Sequence, residues 1–132
     1  MDYNTQKGSK DLFQIKFYED RQGNKPVAEY ILKLRKKSKT SKNARIMLKK
    51  ITEYMRILKQ YGTYAGEPYV KHIDGDIWEL RPTNDRIFFF YWQKGFFVML
   101  HHFTKKTKKT PTQEINQAKR NLQDFIEREQ TE

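Results

Sequence analysis

Residues 76–104, which read DIWELRPTNDRIFFFYWQKGFFVMLHHFT, decide the fold of this chain. Three runs rich in aromatic and aliphatic side chains follow one another with only short turns between them, which predicts three adjacent strands. The two later runs are apolar at consecutive positions, which is typical of central strands whose two faces are both covered. The runs cover residues 77–81, 86–92 and 96–103.

Short turns extend this sheet. Asp74-Gly75-Asp76 separates the first run from an earlier strand at residues 69–73, and Gln93-Lys94-Gly95 joins the last two runs. Both are hairpin signals, so three or four antiparallel strands are expected. One more strand stands near the start, because apolar and polar residues alternate over residues 13–18. This alternation buries one face of the strand and places Tyr18 on the other.

Three helices are predicted around the sheet. The strongest signal is an apolar stripe at helical spacing over residues 44–61, which ends at Gly62. An earlier helix is expected to have Asn24 as its cap and Pro26 in its first turn. A last helix follows the capping box Thr110-Pro111-Thr112-Gln113. Its apolar stripe consists of Ile115, Ala118, Leu122, Phe125 and Ile126.

These elements predict an α+β fold, with a small antiparallel sheet and helices packed on one of its faces. The length of 132 residues fits a single domain, residues 1–132. Residues 1–10 are polar and are expected to form a loose tail.

The charge balance indicates an anionic partner. The formal net charge is +11 and the isoelectric point is about 9.8, and such an excess of cations favours nucleic acid or an acidic protein. Nine of the cations, and no acid, lie in residues 33–50. The absence of cysteine excludes disulfides, Cys-ligated zinc and a thiol nucleophile. No stretch approaches the roughly 18 apolar residues of a membrane span, so a soluble, cytoplasmic protein is expected.

The predicted strands end in a cluster of cations. Arg81 closes the first run and Arg86 opens the second. Because side chains alternate along a strand, Trp78 and Leu80 are expected to face the core and Arg81 the open side. Four lysines follow the third run: Lys105, Lys106, Lys108 and Lys109. Arginine offers a planar donor fork and lysine a point charge, so this surface is expected to meet phosphate.

A surface of this kind can also cut RNA. Cleavage can use the neighbouring 2′-hydroxyl as nucleophile, and stabilising the charge that develops at the phosphate is usually the largest contribution. One well-placed cation is worth on the order of 10²- to 10³-fold in rate. A site built from arginine and lysine can therefore work without a metal, and no metal or cofactor is expected.

The residues alone leave a plainer interpretation open. The lysine run is then a solvated face or a nonspecific polyanion patch, and Arg81 pairs with Glu79 or Asp85. His101 and His102 point to opposite faces of their strand, and one of them is then a hydrogen-bonded core histidine.

At these residues the chain resembles the RelE/ParE superfamily of bacterial toxins, in its HigB-like, phage-derived branch. The resemblance extends over roughly residues 11–127. It is carried by Trp78-Glu79-Leu80-Arg81, by Arg86-Ile87 opening an aromatic strand, and by residues 100–111, LHHFTKKTKKTP. The resemblance implies a RelE-like microbial ribonuclease-type fold. It also implies the toxin of a type II toxin-antitoxin system, a ribosome-dependent, metal-independent mRNA endonuclease that inhibits translation. Its implied partners are the ribosome, mRNA and a HigA-like helix-turn-helix antitoxin, which neutralises the toxin in a hetero-oligomer.

The resemblance further implies roles for individual residues. Arg86 and Lys106 fall where members carry catalytic cations, and Arg81 matches the arginine of the Leu-Arg pair. Glu67-Pro68, with Lys71, is similar to a Glu-Pro-Leu-Lys segment in YoeB-type members whose glutamate is the general base. Glu67 and Lys71 are therefore candidates for proton transfer. The predicted RNA-binding residues are Lys105, Lys108, Lys109, His102 and Tyr91.

Two departures from the pattern leave the acid and base unassigned. RelE-type enzymes place two lysines where this chain has Ile77 and Glu79, and the late catalytic tyrosine or histidine of other members has no clear counterpart. ParE-like members share the fold but act on DNA gyrase, so the fold does not decide the function. The alternatives are a non-enzymatic ParE-like gyrase inhibitor and a plain basic nucleic-acid-binding module.

Overall fold

The computed structural model describes residues 11–130, so the predicted tail at residues 1–10 lies outside the described residues. The predicted α+β class is confirmed, with five strands and three helices in the described part of the chain. In chain order the elements are β1 (Gln14–Phe17), α1 (Pro26–Lys37), α2 (Lys42–Tyr61), β2 (Val70–Asp74), β3 (Ile77–Leu80), β4 (Asp85–Gln93), β5 (Phe96–Thr104) and α3 (Thr112–Gln130). A single 3₁₀ turn, Gly62–Ala65, follows α2. Within residues 11–130 no helix is long and apolar enough to cross a membrane.

The sheet is mixed, with strand order β1-β5-β4-β3-β2. Strands β2 to β5 are antiparallel as predicted, whereas β1 runs parallel to β5, with Gln14 opposite Phe96 and Phe17 opposite Met99. The prediction of a purely antiparallel sheet is therefore wrong for β1. The hairpin of β4 and β5 leaves the outer edge of β5 free, and β1 occupies that edge before the chain continues into α1.

Helices cover both faces of the sheet. On β4, Ile87 and Phe89 pack in a cluster with residues of α1 and α2, while the alternate residues Phe88 and Phe90 pack against α3. All four of these side chains are almost fully buried. The prediction that the helices pack on one face is wrong, because a strand that is apolar at consecutive positions needs a cover on each side.

The start of α1 differs from the prediction. Pro26 is its first residue, as expected, but Lys25 and not Asn24 occupies the cap position. The Asn24 amide instead donates to the Asp20 carboxylate at 3.3 Å. The backbone N–H of Lys25 donates to the carboxylate of Glu29 at 2.9 Å, which is one half of a capping box, but the Lys25 side chain makes no capping hydrogen bond.

Tyr18 anchors the end of β1 to α3 and is not on an exposed face. Only 4% of the residue is exposed, and its hydroxyl donates to Asp124 Oδ2 at 2.6 Å. Burial and the neighbouring carboxylate raise the pKa of Tyr18 to about 12. The alternation of apolar and polar residues along β1 predicted an exposed Tyr18. Tyr18 is buried because α3 covers the face of β1 that points away from α1 and α2.

Candidate active site

A buried carboxylate stands at the centre of the predicted cation cluster. Glu79 on β3 is 1% exposed. Its Oε2 lies 3.3 Å from Arg81 Nε and its Oε1 lies 3.7 Å from Arg86 Nε. Neither contact has hydrogen-bond geometry with the described residues, so Glu79 Oε1 and both Nε atoms are buried without a hydrogen-bond partner there. The three groups are held together by charge rather than by directed hydrogen bonds.

The electrostatics of Glu79 follow from this burial. Loss of solvent raises the pKa of Glu79 above its ordinary value, although the charges of Arg86, Arg81, Lys105 and Lys71 act in the opposite direction. Burial likewise lowers the pKa of Arg86, and Glu79 opposes that shift. A guanidinium stays charged in proteins, so the cluster carries more positive than negative charge at neutral pH.

Arg86 is fixed by the backbone of the turn that precedes β4. Its Nη1 donates to the Thr83 carbonyl oxygen at 2.6 Å and to the Asp85 carbonyl oxygen at 3.1 Å. Thr83 has a φ of 53°, which bends the chain so that its carbonyl faces the guanidinium. Only 10% of the Arg86 side chain is exposed. The geometry presents a held guanidinium edge to solvent rather than a freely moving side chain.

The side chain of Asp85 ties the start of β4 to α1 and β5. It accepts hydrogen bonds from the Tyr30 hydroxyl and from Thr104 Oγ1, the latter at 2.9 Å, and its Oδ1 lies 3.7 Å from His102 Nε2. The His102 ring stacks on Tyr30 with 3.5 Å between ring centroids. Burial alone would raise the pKa of Asp85, but the contacts with His102, Tyr30 and Thr104 outweigh it and lower the pKa.

An open cleft of about 580 Å³ joins Arg86 to the lysine run. The backbone N–H of Lys105 donates to the Asn84 carbonyl oxygen at 2.8 Å, which pins the segment after β5 to the turn before β4. The cleft is lined by Asn84, Arg86, Lys105, Lys106, Thr107 and Lys108. The structure therefore brings Lys105, Lys106 and Lys108 together with Arg86, while Lys109 is exposed and is not one of the lining residues.

The two predicted proton-transfer residues, Glu67 and Lys71, lie near Arg81 and Glu79 and are not among the residues that line the cleft. Arg81 Nη1 donates to Glu67 Oε1 at 3.2 Å, and 66% of the Glu67 side chain is exposed. Lys71 on β2 lies opposite Glu79 on β3 in the register of the sheet, and its side chain is exposed. The prediction that Arg81 lies on the open side of the sheet is only partly right, because its side chain is 22% exposed and the neighbouring Glu79 side chain is 1% exposed.

The two histidines and Tyr91 are separated. His101 and His102 point to opposite faces as predicted, and His101 Nε2 lies 2.6 Å from Glu114 Oε1 on the α3 side. Tyr91 comes five residues after Arg86 on the same strand, roughly 16 Å along it. Its hydroxyl accepts a hydrogen bond from the Gly95 N–H at 2.9 Å. The structure does not bring Tyr91 to the cleft, and no group of residues suited to hold a metal occurs within residues 11–130.

In the sequence, Glu79 and Asp85 were identified only as possible partners of Arg81, and Tyr30 was not identified. A signal for Glu79 was present, since it is a lone acid inside an apolar strand two positions before an arginine. Such a residue is expected to be paired when the strand is buried. No comparable signal marked Tyr30, which meets Asp85 only through the packing of α1 on the sheet.

Comparison with known families gives one clear result. The model of the family described as Phage derived protein Gp49-like (DUF891) matches residues 29–123, which is most of the chain and includes Glu79, Arg86 and the lysine run. The family is toxin-like, of the RelE/HigB type, so the resemblance is confirmed at that level. No curated protein matches the chain significantly.

Proposed function

Because the chain belongs to the phage-derived Gp49-like family, we propose that it is a HigB-like toxin of a type II toxin-antitoxin system that cleaves mRNA on the ribosome. The observation that carries this proposal is the pair of guanidiniums of Arg81 and Arg86, held by the buried Glu79 beside a cleft lined with lysines. Held cations around an open cleft fit a phosphodiester, because their positions are fixed before the substrate arrives.

The proposed reaction is an in-line attack by the 2′-hydroxyl on the adjacent phosphate. The 2′ oxygen forms a bond to phosphorus while the bond to the 5′ oxygen breaks, which leaves a 2′,3′-cyclic phosphate and a 5′-hydroxyl. A base takes the 2′ proton and an acid gives a proton to the leaving oxygen. Arg86 and Lys106 are proposed to stabilise the charge on the phosphate, and Arg81 to position it.

Exposure favours Glu67 over Glu79 as the group that accepts the proton. Glu79 is covered by its cations and cannot reach a substrate, whereas the Glu67 carboxylate is exposed and is held by Arg81. Lys71, on the neighbouring strand and also exposed, is the second candidate for proton transfer. Glu79 is proposed to be a positioning residue, since it acts on the substrate only through the two arginines.

Further contacts with RNA are assigned to the lysines around the cleft. Lys105 and Lys108 line it, and Lys109 follows directly, so all three are proposed to bind the RNA backbone. His102 and Tyr91 stay predictions for RNA contact. The His102 ring stacks on Tyr30, and Tyr91 lies at the end of β4 that is far from the cleft.

The basic surface of α1, α2 and their connection is proposed to bind ribosomal RNA or an acidic segment of a HigA-like antitoxin. It contains the nine cations of residues 33–50, and most of these side chains are exposed. Replacing Lys36, Lys37 and Lys39 with glutamate should weaken ribosome association and flatten its dependence on salt, because fewer counterions are released. An unchanged salt slope would mean that the surface is only solvated.

The decisive experiment maps mRNA 5′ ends after induced expression in cells. The wild type should produce new 5′ ends within open reading frames, and Arg86→Ala should not. Arg120→Ala, which removes an exposed arginine from α3, is the matched control and should cut like the wild type. Intact transcripts together with a DNA-damage response would contradict RNA cleavage and favour gyrase inhibition.

A further inference from the structure

Two exposed tyrosines come a few positions before Glu67 in the chain and have no role in the proposed reaction. Tyr61 is the last residue of α2 and is 57% exposed, and Tyr64 in the following 3₁₀ turn is 96% exposed. Neither side chain has a hydrogen bond or a ring contact with any of the residues that the structure describes. A tyrosine exposed to this degree leaves both of its ring faces open to a ligand.

The backbone that carries these tyrosines is fixed. Gly62 has a φ of 62°, and its N–H donates to the Leu58 carbonyl oxygen, which ends α2. A Cβ at Gly62 would lie 2.8 Å from the Phe13 ring, so the turn packs closely against the start of β1. The phenol rings therefore project from a defined turn and not from a free loop.

The same segment leads directly into the cation cluster. Tyr64 lies three positions before Glu67, whose carboxylate accepts a hydrogen bond from Arg81 at 3.2 Å, and three residues span at most about 10 Å. The Tyr69 carbonyl oxygen accepts from the Arg81 N–H at 3.0 Å, which fixes the other end of the segment to β3. An RNA phosphate bound at Arg81 thus has an aromatic surface within reach of a neighbouring nucleotide.

The two rings line a small apolar recess. It has a volume of about 290 Å³ and is lined by Ile57, Tyr61, Tyr64, Ala65 and Tyr69. Of the lining residues, Tyr69 also packs edge-on against Tyr54 at 5.0 Å between ring centroids. A recess with aromatic walls next to a group of cations combines the two components of single-strand binding, which are base stacking and backbone charge.

We propose that Tyr64, together with Tyr61, forms a stacking platform for an unpaired nucleobase of the RNA whose phosphate is bound at Arg81 and Arg86. This inference rests on the proposed function and adds a base-binding subsite to it. A stacking platform accepts any base, because every base has a π face. Tyr64 is a binding residue in this assignment and takes no part in the proton transfers.

The size of the surface favours a base over a protein partner. Two tyrosines around a recess of this volume offer far less apolar area than a stable protein interface buries. The charged residue of the segment, Glu67, forms an ion pair with Arg81, and in a complex with RNA this arginine is proposed to bind a phosphate.

The test compares two RNA oligonucleotides of equal length, one intact and one abasic at its central positions, with 2′-O-methyl sugars that prevent cleavage. Tyr64→Ala should weaken binding of the intact oligonucleotide by about 5- to 150-fold and leave binding of the abasic one unchanged. Tyr64→Trp should restore affinity, and its additional fluorescence should be quenched by the intact oligonucleotide alone. Tyr64→Leu keeps apolar volume without a π face and should bind like Tyr64→Ala.

Three results would overturn the proposal: an unchanged affinity of Tyr64→Ala for the intact oligonucleotide, an equal loss of affinity for both, or full rescue by leucine. The last result would show that the contact with RNA is apolar and does not depend on a π face. Arg86→Ala separates this proposal from the proposed function, because it should weaken binding of both oligonucleotides equally. If the wild type binds RNA by base stacking but does not cleave mRNA on ribosomes, the proposed cleavage is contradicted and the proposed stacking platform is retained.

Discussion

The Oε2 atom of Glu79 lies 3.3 Å from Nε of Arg81, and the carboxylate is almost completely covered. An acid in this position is costly to bury unless its charge is compensated. The compensation comes from the cations that are proposed to bind phosphate, so the stability of the cluster and its affinity for RNA depend on the same charges.

Replacing Glu79 with glutamine should separate binding from chemistry. The cluster gains one net positive charge, so affinity for a non-cleavable RNA at low salt should rise or stay the same. The arginines lose the charge that orients them, and a misplacement of about 1 Å can cost on the order of 10²-fold in rate. The loss of cleavage rate is measured by single-turnover cleavage on programmed ribosomes. Glu53→Gln on the exposed face of α2 is the control. Wild-type cleavage by Glu79→Gln would remove its positioning role.

Replacing the cleft cations with alanine should relieve growth arrest. Arg86→Ala and Lys106→Ala should each lower cleavage by about 10²- to 10³-fold, by analogy with the loss of one oxyanion-hole donor. Arg81→Ala should also lower it. The effects of groups that act together need not add. Circular dichroism of each variant checks the fold, since Arg86 is buried. Toxicity at the wild-type level in a folded Arg86→Ala, Lys106→Ala double variant would contradict the site assignment.

Glu67→Gln tests the proposed base. It keeps the shape and the hydrogen bond to Arg81 but cannot accept a proton, and a general base contributes about 10²- to 10⁴-fold. Single-turnover cleavage should fall by that factor while RNA affinity is retained. A loss of less than about tenfold would exclude Glu67 as the base, and Lys71→Met would then be measured in the same assay.

Asp85→Asn should destabilise the fold in a pH-dependent way. The pKa of Asp85 is lower in the folded state, so its carboxylate stabilises the fold above the ordinary pKa of 3.8, and this stabilisation is lost as the pH falls through the lower folded-state value. Urea unfolding at pH 7 should show a loss of about 1–3 kcal/mol for the variant, since a buried charged acceptor is removed. The difference should shrink below pH 3.8. An equal difference at pH 7 and at pH 3 would show that shape, not charge, is what Asp85 contributes.

Local patterns predicted most of the elements. The stripe over residues 44–61 and the glycine that ends it, as well as the two hairpin turns, depend on neighbours only a few positions away. The meeting of Arg86 with Lys105 and Lys106 was also predictable, because the register of a hairpin places the start of β4 beside the end of β5. What a few adjacent residues determine can be inferred without a structure.

Pairings between distant parts of the chain could not be predicted in this way. The direction of β1 depends on which edge of the sheet is free after the hairpins have formed. The charge of the buried Glu79 is opposed by Arg81, two residues away, and by Arg86, Lys105 and Lys71 from three other segments, whereas the alternation of side chains indicates only the face on which Glu79 lies. Tyr91 was predicted as an RNA contact, but its position along β4 separates it from the cleft.

The pairing of β1 with β5 has a consequence for synthesis. During synthesis β1 cannot pair until β5, which is made much later, has been completed. Pairings between such distant segments form slowly. The lysines of the cleft follow β5 immediately. While a ribosome is still producing this chain, the surface that is proposed to attack ribosome-bound mRNA does not yet exist, so we expect the nascent polypeptide to be harmless to the ribosome that makes it.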